Sequence, residues 1–126
     1  MKFRTNKNSI RFRLSQSEVD EFFTHGLVHE CIQFTSNGCD VLCYSLIQAD
    51  HEAISVTFNN NHLRVYIPSQ SAKDWCKSNV IGIETQLQLA DHKSLYVLIE
   101  KDFQCLQPRL HEDESDNFPN PKSELC

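Results

Sequence analysis

The sequence predicts an α+β domain in which about seven mainly antiparallel strands form a curved sheet or partly closed barrel, with two short helices. Three observations carry this expectation. Residues 3 to 14 alternate apolar and polar, residues 27 to 68 break into short strand-like runs at turn-forming clusters, and two serine-led segments carry helix start signals. The expected order is β-α-β-β-β-β-α-β-β.

The first strand is read from Ile10, Phe12 and Leu14 facing one way and Arg11 and Arg13 the other, the period of a half-buried strand. Ser15 and Glu18 then form a capping box, Val19, Phe22 and Phe23 supply an apolar stripe, and Gly26 stands where a helix C′ residue is needed. Strand-like runs follow at 27–35, 41–49, 53–59 and 62–68, separated by Ser36-Asn37-Gly38, Asp50-His51-Glu52 and Asn59-Asn60-Asn61. Ile54, Val56 and Phe58 alternate against Leu63, Val65 and Ile67, so both arms of this hairpin specify its register. Ser71 as cap, with Asp74 three residues on, predicts a second helix that Trp75 docks onto the sheet. Residues 80–89 and 95–101 complete the strands around a turn at Asp91-His92-Lys93.

Past Phe103 the periodicity stops, and Pro108, Pro119 and Pro121 exclude regular structure over most of the remainder. The division expected is therefore one α+β domain over 1–104 and an acidic, proline-containing segment over 105–126, packed on the domain or extending from it. No internal repeat and no glycine-rich phosphate loop is read in the sequence, which holds only three glycines.

A formal charge of −5 argues against general nucleic-acid binding, which needs a basic face. The opening residues lack the apolar core of a secretory signal, and no long apolar span occurs, so a cytoplasmic protein without membrane association is expected. In that compartment the six cysteines are expected as thiols. Cys39 and Cys43, four residues apart, would share a strand face, with Cys31 opposite them across the hairpin. This is either a soft-metal or redox cluster or a set of small apolar residues. The histidines fall mostly at turns and element ends.

The stretches Asn8 to Val19, Glu100 to Leu106 and Glu112 to Pro121 resemble a family of small uncharacterised bacterial proteins of unassigned function. The resemblance spans most of the chain and implies a single-domain cytoplasmic protein. It carries no catalytic residues.

Chemistry is expected first at the C-terminal segment. Cys105 and His111, with Asp102, Glu112 or Asp116, offer a mixed sulfur, nitrogen and oxygen shell for zinc or another divalent metal if Pro108 turns the chain. Buried thiol and solvated carboxylates are the alternative. A second feature is charge: residues 1–14 hold Lys2, Arg4, Lys7, Arg11 and Arg13 without an acid, whereas residues 111–126 hold Glu112, Asp113, Glu114, Asp116 and Glu124 against only Lys122. The tail is therefore expected to fold over strand one, with Phe118 as apolar anchor and arginines paired to carboxylates. Arg4, Arg11 and Arg13 alternatively bind an anion such as a nucleotide or polyphosphate. The leading expectation is a non-enzymatic binding protein for a divalent metal or a protein partner. A small enzyme on an anionic substrate and an assembly module using the tail for oligomerisation stand beside it.

Overall fold

The computed structural model describes residues 1–104 and 113–120. Among these the elements are β1 (Lys2–Asn6), β2 (Ser9–Leu14), α1 (Gln16–His25), β3 (Leu27–Gln33), β4 (Val41–Ala49), β5 (Ser55–Asn59), β6 (His62–Pro68), α2 (Ser69–Lys77), β7 (Gly82–Gln88) and β8 (Ser94–Lys101). The α+β class is as expected. No helix among the described residues is long and apolar enough to cross a membrane.

The expected first strand is two strands, because Lys7 takes a left-handed backbone (φ 52°) and turns the chain at Lys7-Asn8. Period-two alternation survives such a turn, so sequence pattern alone does not separate one long strand from a hairpin. The capping box forms as read: the Ser15 amide donates to Glu18 Oε1 at 2.9 Å and the Glu18 amide to Ser15 Oγ at 3.4 Å. Gly26 closes α1 in the left-handed region (φ 72°), its amide donating to Phe22 O at 2.9 Å. α2 begins at Ser69, two residues before the expected cap, with Pro68 at its N-cap and no side-chain cap bond. Proline at the strand end fixes φ and gives the helix its start without a serine. The β5–β6 register is as read, with Val56 opposite Val65 and Phe58 opposite Leu63 across the left-handed pair Asn60-Asn61.

The strands form two four-stranded sheets rather than one curved sheet, ordered β1-β2-β8-β7 and β3-β4-β6-β5. Neither is closed. Each is antiparallel at its edges with one parallel pair at its centre, β2 with β8 and β4 with β6. The chain divides into two compact units, Met1–Val19 with residues from Val80 onward, and Asp20–Asn79. In the first, Phe12, Leu14, Val97 and Ile99 on the central pair are fully buried, and Phe3 stacks on Phe12 at 5.1 Å. In the second, Leu46, Val65 and Ile67 are fully buried, and α2 packs on β4 and β6 with Ala72 and Trp75 buried.

The topology contains an internal repeat that was not read in the sequence. β1-β2-α1-β3-β4 and β5-β6-α2-β7-β8 are the same ββαββ unit, displaced by 53 positions, as from Ser9 to His62 and from Cys43 to Tyr96. Register repeats with it: Ser9 faces Tyr96 in one parallel pair and His62 faces Cys43 in the other. Buried positions match too, Phe12 with Val65, Leu14 with Ile67, Val19 with Ala72, Phe22 with Trp75, and Leu46 with Ile99. Sequence comparison hides this because apolar character is kept while identity is not. In each sheet, one hairpin comes from each half of the chain.

Residues 113–120 belong to the first unit. Phe118 pairs with Phe103 in a parallel bridge, its amide donating to Asp102 O at 2.8 Å, and the two rings stand 5.6 Å apart. Asp116 sits at the start of α1: its carbonyl accepts from the Gln16 amide at 3.0 Å, and its carboxylate accepts from the Ser17 hydroxyl. Residues 113–120 therefore dock through Phe118 onto the end of β8, and through Asp116 onto the head of α1. Arg13 instead pairs with Glu100 at 2.7 Å, Arg11 with Glu100 at 3.4 Å, and Lys2 with Asp102 at 2.8 Å. β8 lies beside β2, which brings Glu100, and Asp102 just past its end, within reach of the strand-one cations.

Hydrogen bonds from the Ser17 and then the Ser15 hydroxyl hold the Asp116 carboxyl below the usual aspartate value of 3.8. A carboxyl depressed by folding contributes stability above its unfolded value, and that contribution is lost as pH falls through the folded one. Asp116→Asn should therefore lose less melting temperature than the parent between about pH 5 and about pH 3, followed by circular dichroism. Identical losses in the two proteins would show that the carboxylate does not hold the segment.

Candidate metal centre

β3 and β4 pair with Cys31 opposite Cys43 and His29 opposite Ser45; β4 and β6 pair with Cys43 opposite His62 and Ser45 opposite Arg64. Side chains two apart on a strand share a face, so Cys43 and Ser45 project together, away from the side of Tyr44 and Leu46. Three adjacent strands thus bring His29, Cys31, Cys43, Ser45 and His62 to one patch. Cys31 and Cys43 are joined as a disulfide. The opposition of Cys31 and Cys43 was legible in the sequence, but their oxidation was not expected. Cys39 does not join them: it precedes β4, is exposed, and remains a free thiol.

A donor atom from each of His29, Cys31 and Cys43 lies within 4.8 Å of the other two. His29 Nε2 is 3.3 Å from Cys31 Sγ, and its Nδ1 shares a hydrogen bond with Ser45 Oγ at 2.7 Å. The same hydroxyl bonds His62 Nε2 at 2.6 Å. A serine hydroxyl has a single proton, so it donates to one ring and accepts from the other. Burial, then the Arg64 and His29 charges, push the His62 imidazole below its usual 6.5, which favours its neutral form. The order His29 Nδ1–H to Ser45 Oγ, and Ser45 Oγ–H to His62 Nε2, turns the lone pair of His29 Nε2 toward the sulfurs, the tautomer a metal ligand needs; the reverse order puts the proton on His29 Nε2, where it donates to the disulfide sulfur of Cys31. Ser45 is only 1% exposed, which fixes the relay in place.

Of the residues expected to bind metal, Cys105, His111 and Glu112 lie outside the described residues. Asp102 is buried and paired with Lys2, and Asp116 is bonded to Ser17, so the structure gives both carboxylates other partners. Arg4, Arg11 and Arg13 all project from the β1–β2 hairpin, with Arg4 directly opposite Arg11. Sequence reasoning missed His29, Ser45 and His62. The available signal was the i, i+2 spacing His29-x-Cys31 and Cys43-x-Ser45 in two neighbouring strands.

Fold and patch together define an α+β protein with two mixed sheets and a sulfur–imidazole cluster on one of them. The chain belongs to DUF7009, a family of unknown function, whose model matches residues 1–122. No curated protein and no solved structure matches it.

Proposed function

We propose that the protein is a metal-binding protein whose site is the β3–β4–β6 patch, with zinc held by His29 Nε2 and the thiolates of Cys31 and Cys43. The approach of His29 Nε2 to the Cys31–Cys43 pair carries the reading, with both sulfurs free to ligate once the disulfide is reduced. Two thiolates and an imidazole suit zinc, and a shell of three protein ligands leaves a fourth position for water or a further ligand. Ser45 and His62 form the outer support that orients the imidazole.

The disulfide and the metal compete for the same sulfurs. Two thiols and a peroxide give the disulfide and two waters, each sulfur losing one proton and one electron, and no thiolate is left to ligate. Reduction of the disulfide to two thiols restores the metal-competent state.

Metal analysis of untagged protein, loaded with zinc after reduction and desalted, tests this. One zinc per chain is expected in the reduced parent, none after peroxide treatment, and none in Cys31→Ser or Cys43→Ser. Cys105→Ser and His111→Ala, in the C-terminal segment, should retain it. A reduced parent without zinc, or undiminished zinc in Cys43→Ser, would overturn the assignment.

A further inference from the structure

Because the two sheets share a register, the place held by Cys43, Ser45 and His62 in one is held by Tyr96, Leu98 and Ser9 in the other. A groove of 290 Å³ lies there, lined by Arg4, Asn6, Ser9, Arg11, Tyr96 and Leu98 among others. We infer that this groove binds the phosphate of a small phosphomonoester, an organic molecule carrying a single phosphate group.

The argument begins with charge. Arg4 and Arg11 stand directly opposite each other on β1 and β2, and like charges at such a position repel. The next like pair on the hairpin, Lys2 opposite Arg13, is compensated: Lys2 by Asp102 at 2.8 Å and Arg13 by Glu100 at 2.7 Å. Arg11 reaches that same Glu100 only at 3.4 Å, and among the described residues Arg4 has no ion-pair partner. No carboxylate lines the groove, and the nearby Glu84 is taken up by the Tyr96 hydroxyl. One anion between Arg4 and Arg11 would turn repulsion into two attractions.

Geometry and size narrow the ligand. Two guanidinium forks need an acceptor with more than two oxygens, which a phosphate supplies and a lone carboxylate does not. The volume is at the small end for ligand sites, about 300 to 1,000 Å³, and suits one small molecule rather than a polymer. Tyr96 and Leu98 add apolar surface beside the cations, on which the organic part of the ligand rests. The groove lies in the first unit and the metal centre in the second, so each reading fails or survives without the other.

Calorimetry on the full chain at low salt, with AMP, inorganic phosphate and succinate as probes, tests the inference. AMP is expected to bind more tightly than inorganic phosphate, and succinate least. Arg4→Gln and Arg11→Gln should each weaken AMP by at least about tenfold with unchanged circular dichroism, while Lys7→Gln, outside the groove lining, should not. No AMP binding by the parent, binding of inorganic phosphate without AMP, succinate as tight as AMP, or equal losses in Lys7→Gln and Arg4→Gln would each overturn it.

Discussion

Phe12→Ala is expected to destabilise the protein by about 3 to 5 kcal/mol, the range for emptying a fully buried aromatic site. Phe12 sits on a central strand, opposite Ile99 in the parallel pair and stacked on Phe3, so its removal leaves a void that flanking strands cannot close without losing register. Domains of this size are stable by only about 5 to 15 kcal/mol, so the loss is a large part of the total. Urea unfolding measures it, and a loss below about 1 kcal/mol would contradict the burial assigned to this ring. Ile67→Ala, at the position equivalent to Leu14 in the other half and equally buried, should cost about 2 to 5 kcal/mol by the same mechanism.

The second large effect is expected at a residue that touches no metal. Ser45→Ala should lower the zinc affinity of the reduced protein by about 10- to 100-fold while leaving His29, Cys31 and Cys43 in place, the usual cost of removing an outer-shell partner. Without the hydroxyl, His29 Nδ1 loses the partner that orients the ring and can hold its proton away from Nε2. Ser45→Thr keeps the hydroxyl and should restore part of the affinity. Competition against a chromophoric chelator reads both variants. Parent affinity in Ser45→Ala would remove the relay from the account, and a threonine variant no better than alanine would reduce Ser45 to a packing residue.

Local chemistry in the sequence was legible wherever one segment decides its own conformation. The Ser15–Glu18 box, the Gly26 stop and the β5–β6 register all need only neighbours a few residues away. Sheet membership was not legible, because each central parallel pair joins strands that local pattern cannot connect: β2 lies beside β8, far along the chain, and both arms of each hairpin read the same whichever sheet receives them. The candidate site divides along the same line. Cys31 opposite Cys43 follows from one hairpin, whereas His62 reaches Ser45 only because β6 lies parallel to β4. His29 is exposed, as expected of a solvated histidine, but it and His62 stand on strands rather than in turns, and their meeting at Ser45 was therefore hidden.

The exchange of hairpins between the two halves makes each half dependent on the other for its existence. Severing the polypeptide near Glu52, between β4 and β5, would leave two fragments that each own the outer and inner strands of two different half-sheets and complete neither. Their inner strands would present open backbone donors and acceptors that only a complementary ββαββ fragment, or a second copy of the same one, can saturate. Co-expressed fragments should find each other without a covalent link, and a lone fragment should survive only as a twinned species or not at all.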